Sequence, residues 1–251
     1  MALLGREAEI LMQGKAVSFD GVDDYVDCGN KSDFDLANTD HAIEFWFKAD
    51  TTQNVDYPTF IAKFSGGAGY NIRLDPSTGQ VICVEKSDGT SGIWIKTTTA
   101  YFDDKWHHLV YVVDISIKTA YLYIDGQQVG SDTYDGNLLD AAARLIVGGT
   151  TGSQQWYKGL IDEVRIYRRL LTLAESIEHL NGIYQNESNL VLYLPFESNA
   201  QDYSGQGNDG VNYGAAFVDG ASIPIGYAKN VRVGMDASLI KIYNIESDEP
   251  D

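Results

Sequence analysis

Apolar and polar side chains alternate along much of this chain from residue 15 onward. In residues 42–49, Ile43, Phe45 and Phe47 point one way and Glu44, Trp46 and Lys48 the other, the period of a half-buried strand. In residues 16–20, Val17 and Phe19 share one face, Ser18 and Asp20 the other. Short runs of the same kind occupy residues 59–64, 69–74, 80–86 and 93–98. Between them lie Gly66-Gly67, Pro76-Ser-Thr-Gly79 and Asp88-Gly89, which are turn chemistry. Residues 106–113 and 119–124 form the next pair, and Asp125-Gly126 predicts a tight turn into residues 127–130. Residues 145–149 read as a buried strand ending in glycines, and residues 190–196 are a late apolar run. This spacing of strands and turns predicts an all-β sandwich.

The pattern changes period once. Thr172-Leu-Ala-Glu175 is a capping box opening a short helix near 173–181. Leu173, Ile177 and Leu180 form its apolar stripe, and Gly182 sits where a helix stops. Residues 1–14 read as a helix-permissive or partner-binding arm, with Leu3, Leu4, Ile10, Leu11 and Met12 set around Arg6, Glu7 and Glu9. The sandwich is expected over 15–220. A C-terminal extension over 221–251 holds two strands, 230–234 and 239–245, and an acidic tail.

Composition narrows the function classes. The chain has 251 residues, 44% hydrophobic and 12% aromatic, enough to bury a sizeable core and to exclude global disorder. Its formal net charge of -18 repels phosphate backbones, so nucleic acid is excluded as a partner. Such a surface suits metal cations or a basic partner. No apolar run is long enough for membrane insertion. Gly5, Arg6 and Glu7 interrupt the first residues, so no signal peptide is read there. Cys28 and Cys83 lie in strand-like runs, either as buried free thiols or as a single bridge.

Four segments in chain order carry a family resemblance. Residues 16–26 (Ala-Val-Ser-Phe-Asp-Gly-Val-Asp-Asp-Tyr-Val), 104–113, 120–129 and 158–172 resemble the laminin-G-like, concanavalin-A-like lectin jelly rolls. The resemblance implies an all-β, two-sheet antiparallel jelly-roll sandwich and an extracellular setting; with no signal peptide read, export by another route, a trimmed chain or release as part of a virion would account for it. It leaves the function open among lectins, adhesins, enzyme appendages and structural parts. Residues 190–196, 202–210 and 214–220 resemble the family's first segments, which in family members precede the Phe-Asp-Gly turn; here they come last. The chain therefore reads as circularly permuted, or cut out of phase with a tandem repeat. Its late strand 190–196 completes either its own sandwich or a neighbour's.

Metal chemistry has two candidate loci. Asp20, Asp23 and Asp24 crowd three carboxylates into five positions, as a solvated acidic hairpin or as a calcium-linked loop. In the loop 202–208, Asp202 and Asn208 flank Gly205 and Gly207, which let carbonyls turn inward. The resemblance implies a structural Ca²⁺ at this loop, aided by a carboxylate of the last long strand, here Asp162. By alternation Asp162 shares a face with Leu160, Val164 and Ile166. It is either a metal ligand or a carboxylate braced by backbone N–H groups. The expected calcium set is Asp202, Asn208, Asp162 and Asp20.

Sugar sites set an aromatic ring against a pyranose face. Trp156 and Tyr157, in a loop of Thr, Ser and Gln, are the first candidates, with Trp94 and Tyr57 next; each could equally be a half-buried sandwich residue. No catalytic residues are expected. Asp162 and Glu163 are adjacent and should point to opposite faces, and the Glu-x-Asp-x-x-Glu run of sandwich hydrolases is missing. His107 and His108 should diverge on their strand. The expected function is a non-catalytic, calcium-stabilised adhesion or assembly module, glycan-binding and part of a virion or surface appendage. The alternatives are a lectin module of an extracellular enzyme and a glycoside hydrolase. Expected partners are a glycan or cell-surface polysaccharide and further copies of the chain, joined through its termini as a homo-oligomer.

Overall fold

The structure, a computed structural model, describes residues 11–53, 55–150 and 155–224. Its strands are β1 (Leu11–Asp20), β2 (Tyr25–Gly29), β3 (His41–Ala49), β4 (Thr59–Ser65), β5 (Ala68–Leu74), β6 (Gln80–Glu85), β7 (Ile93–Ala100) and β8 (Trp106–Asp114). There follow β9 (Thr119–Ile124), β10 (Gln127–Thr133), β11 (Leu145–Val147), β12 (Lys158–Tyr167), helix α1 (Leu173–Leu180), β13 (Leu190–Leu194), β14 (Val211–Tyr213) and β15 (Ala216–Pro224). They form two antiparallel sheets. One runs β10–β9–β8–β3–β12–β1–β15, with β13 also on β12; the other runs β14–β2–β11–β4–β5–β6–β7. This is the all-β sandwich the alternation predicted, in the jelly-roll form the family resemblance implied. Among the described residues no helix is long and apolar enough to cross a membrane.

The inward residues of both sheets make one core. Phe60 of β4 meets Phe47 and Phe45 of β3 at centroid separations of 4.7 and 5.4 Å. All three are essentially inaccessible, and each such side chain contributes roughly 2–3 kcal/mol on burial. Asp125 (φ 52) and Gly126 (φ 72) hold the two positive-φ positions of the turn between β9 and β10, as Asp-Gly predicts.

The late strands complete this chain's own sandwich. β13 pairs with β12 through Val164↔Leu194 to Tyr167↔Leu190, beside the stretch of β12 that pairs with β1. β14 pairs with β2, and β15 with β1 from Ser18↔Ala216 to Leu11↔Pro224. Residues 11–14, expected to be part of an arm, are thus strand, and the sandwich pairing continues past residue 220. The assembly contacts expected at residues 1–14 and 230–245 lie outside the described residues, apart from 11–14.

Three local expectations change. The acidic turn after β1 is not a hairpin, because β1 and β2 belong to different sheets. The turn carries the chain across the sandwich so that Phe19 and Val26 both reach the core. The apolar stripe of α1 does not face the sheet. Leu173 and Ile177 are each 43% exposed, while Ser176 and His179 are buried. The ionised Glu44 beneath the helix is wholly buried and requires polar partners there, and His179 supplies one. Ile177 and Leu180 instead lie over the turn at Gly126. The capping box forms as read: Thr172 Oγ1 accepts from Glu175 N at 3.1 Å, and Glu175 Oε2 accepts from Thr172 N at 2.9 Å. Cys28 and Cys83 are both buried and free, so the single bridge is not made.

Candidate functional site

The outer face of the seven-stranded sheet brings together the polar and aromatic side chains that strand alternation turns away from the core. Register sets Val211, Asp27, Ile146, Ala62, Asn71, Val84 and Trp94 in one row across all seven strands. In β5, Tyr70, Ile72 and Leu74 go inward, so Asn71 and Arg73 face outward. In β7, Ile93 and Ile95 are buried while Trp94 is 49% exposed. The Trp94 backbone N–H donates to Asp132 Oδ2 at 2.8 Å.

Tyr57 joins this end of the sheet from the loop before β4. Its φ of 55° is a left-handed conformation that few bulky residues adopt. The neighbouring backbone holds it: Thr59 Oγ1 donates to Tyr57 O at 3.1 Å, and Leu74 N donates to Pro58 O at 2.9 Å. The result places the Arg73 guanidinium 4.4 Å from the Tyr57 ring centroid and 5.6 Å from that of Trp94. Both rings stay exposed, Tyr57 at 38%. Two residues before Arg73 on β5, Asn71 is 2% exposed, and its Oδ1 has no hydrogen-bond partner among the described residues. Two exposed rings set around a cation are elements of a polyol-binding surface. Trp94 and Tyr57 were readable from the sequence. Arg73 and Asn71 were missed, although the alternation of β5 carries the signal.

The first-choice rings are packed on other rings of the sandwich. Tyr157 is wholly buried, packed on Phe19 and Phe60 at 6.2 and 4.8 Å, and offers no face to a ligand. Trp156 stacks on Tyr25 at 5.3 Å, and Tyr25 stacks on Tyr213 at 4.6 Å. A Cβ at Gly149 would run into the Trp156 indole, so that ring is engaged on the protein itself.

The expected calcium set does not converge. Asp202 Oδ1 accepts from the N–H groups of Tyr193 and Ser204, both at 2.9 Å, and Oδ2 from Ser204 Oγ and Asn208 N, both at 2.8 Å. With these four donors Asp202 braces its loop, and the donor set does not fit a metal ligand. Asn208 Nδ2 donates to Val191 O and Asp33 Oδ2. Asp162 accepts from Glu163 N at 2.8 Å and Ala221 N at 3.3 Å, the braced arrangement. Burial, then the Glu163 charge, pushes its carboxyl well above the usual range. It does not share a face with Val164 and Ile166. Glu163 takes φ 53° and the register shifts between Asp162 and Arg165, a bulge that resets the alternation. Asp20 is different, because it meets Asp23 and Asp24 with carboxylate oxygens within 4.8 Å of one another. Burial pushes the Asp24 carboxyl up, the Asp20 N–H opposes, and the charges of Asp20 and Asp23 add to the rise.

A glycosidase needs two reachable carboxylates. Asp162 and Glu163 are 2% and 8% exposed. Glu163 is held by Arg165 at 2.7 Å and by the Tyr193 hydroxyl at 3.1 Å. The set Glu44, His108, His179 and Arg165 resembles acid–base machinery, but it is sealed between α1 and the eight-stranded sheet, each member at 3% exposure or less. His107 and His108 diverge as expected: His107 bonds Asp125 at 2.7 Å at the surface, while His108 is buried.

The model of the concanavalin A-like lectin/glucanases superfamily matches residues 20–175. No curated protein matches the sequence. Among solved structures, the fold is similar to "a putative carbohydrate binding protein from Bacteroides ovatus", at 15% identity and TM-score 0.64, over 86% of this chain and 62% of that one. It is similar to the binding domain of Paraclostridial Mosquitocidal Protein 1, at 15% identity and TM-score 0.53, over 68% of this chain and 52% of that one. It is also similar to the CBM40 of the Ruminococcus gnavus IT-sialidase, at 14% identity and TM-score 0.51, over 66% of this chain and 97% of that one. The chain thus spans under two thirds of the length of the first two.

Proposed function

We propose that this chain, which belongs to the concanavalin A-like lectin/glucanases superfamily, is a non-catalytic glycan-binding module that holds its ligand on the outer face of the seven-stranded sheet. The observation that carries this reading is the pair of exposed rings, Trp94 and Tyr57, set around Arg73 on a rigid strand framework. An indole face offers C–H groups of a pyranose a flat apolar surface, and the neighbouring polar groups orient its hydroxyls. Two structurally similar proteins, one described as "a putative carbohydrate binding protein" and the other a CBM40, support the same class of ligand. Surface polysaccharides lie outside the cell, and the module works there. Binding to immobilised oligosaccharides and titration calorimetry test the reading. Trp94→Ala and Tyr57→Ala should each weaken binding by about tenfold or more, roughly the 1.4 kcal/mol of one lost ring contact. Trp156→Ala should leave binding unchanged. Unaltered affinity in the Trp94 variant, or glycan turnover by the wild-type protein, overturns it.

A further inference from the structure

Arg73 is an anomaly in the charge pattern of this chain. Acidic residues outnumber basic ones 36 to 18, and the other withdrawn cations have found carboxylates. Lys63 is 2.8 Å from Asp35, Arg165 is 2.7 Å from Glu163, and Lys96 is 2.6 Å from Asp75. Arg73 has no such partner among the described residues. Its Nε is buried with no hydrogen bond, and the electrostatic neighbour acting on it is Tyr57. Burial accordingly holds this guanidinium below the ordinary arginine range. Two carboxylates of the flanking segments are engaged elsewhere, Asp75 with Lys96 and Ser77, and Asp132 with the backbone N–H groups of Trp94 and Thr133.

A half-buried cation without a counter-ion loses hydration and gains little in return. Ring contacts offset part of that loss, but a ring accepts no hydrogen bond in the guanidinium plane. No carboxylate among the described residues closes this guanidinium, which lies against two rings suited to stack on a sugar. Building on the glycan reading above, we infer that the ligand of this face is an acidic saccharide, whose sugar-borne carboxylate pairs with Arg73 while the ring bearing it lies against Trp94 and Tyr57. A guanidinium's fork of N–H donors matches a planar carboxylate in bidentate fashion. The overall negative charge does not prevent this, because exposed charges more than about 8 Å away are screened at physiological ionic strength.

The test uses the full chain and three carboxylated probes, oligogalacturonate, oligomannuronate and sialyllactose. Each is compared with its methyl ester, which keeps the sugar and removes the charge, and a sulfated galactan forms a further arm. At least one free acid should bind about tenfold or more tighter than its ester, the scale of one charge-assisted hydrogen bond. Arg73→Gln should remove that difference and Arg73→Lys should restore part of it, with melting temperatures unchanged in both. If esters and acids bind alike, and Trp94→Ala still abolishes binding, the acid selectivity fails while the glycan face stands. Preference for the sulfated arm over every carboxylated probe overturns the carboxylate assignment. If no saccharide binds in any arm, both readings fall together.

Discussion

His179 Nδ1 lies 3.0 and 2.9 Å from the two carboxylate oxygens of Glu44, a pair separated by 135 positions in the chain. This contact fixes α1 on the eight-stranded sheet. Glu44 is also faced by His108 Nε2 at 3.5 Å, Arg165 Nε at 4.0 Å and the Tyr167 hydroxyl at 3.3 Å. Burial alone would raise the Glu44 carboxyl, but the charges and hydrogen bonds of His179 and His108 outweigh it and hold it well below the usual range. A carboxyl depressed on folding contributes stability above its unfolded pKa, near 4.3, and loses that contribution as pH falls towards the folded value. Thermal melts from pH 7 down to pH 3 should therefore show a falling melting temperature below about pH 4.5, with a shallower slope in Glu44→Gln. His179→Ala at pH 7 should cost about 3 kcal/mol by leaving a buried charge short of its partner. Equal acid slopes in wild type and Glu44→Gln would remove the network from the account.

The two thiols should be silent in the native state. Burial pushes the Cys28 thiol up to about 12 and raises Cys83 as well. A thiol-reactive dye should label neither cysteine in the folded protein and both in denaturant, without prior reduction. Labelling that requires a reductant would mean the two cysteines are bridged.

Removing the late strands should abolish folding, because Leu192, Leu194 and Phe196 are fully buried in the common core. A chain ending at residue 186 should show no cooperative melt, since several buried apolar side chains at roughly 2–3 kcal/mol each exceed a typical domain's net stability. A chain ending at Pro224 should melt cooperatively. A cooperative transition in the shorter chain would place β13 outside the folding unit.

Calcium is expected from the sequence, and among the described residues the carboxylates that come together are Asp20, Asp23 and Asp24. Ca²⁺ should raise the melting temperature through the turn of Asp20, Asp23 and Asp24, by about 2.7 kcal/mol at a hundred times its dissociation constant. Asp23→Asn should abolish the response and Asp202→Asn should leave it. An unchanged melt after chelation and calcium re-addition excludes the ion.

The strands were legible because a period of two survives any tertiary context in which one face is buried: Ile43, Phe45 and Phe47 could face only the core. The capping box was legible because it is complete within four residues. What escaped was set by distant partners. The stripe of Leu173, Ile177 and Leu180 gives no hint that Glu44 would draw His179 inward. Nothing in Leu-Ile-Asp-Glu-Val announces that Glu163 would take a positive φ and reverse the faces beyond it. At the candidate site, Trp156 and Tyr157 are adjacent, and composition cannot say that Tyr157 enters the core while Trp156 stacks on Tyr25. Trp94 and Tyr57 were second choices in the sequence, and their proximity to Arg73 depends on the register of β5, β6 and β7 and on the loop before β4.

Leu11 and Pro224 are cross-strand partners, so their Cα atoms are about 5 Å apart. Polypeptide joined ahead of the first and polypeptide joined behind the second would start from one spot. A unit with that geometry can be spliced into a surface loop of a host protein without prising the loop's ends apart, so it can ride as a cassette as readily as in a string of beads. The same closeness would let strand order be rotated in a gene while the architecture is kept. Sealing this junction and opening the β9–β10 turn at Asp125-Gly126 should give a chain with a different first residue and the same sandwich.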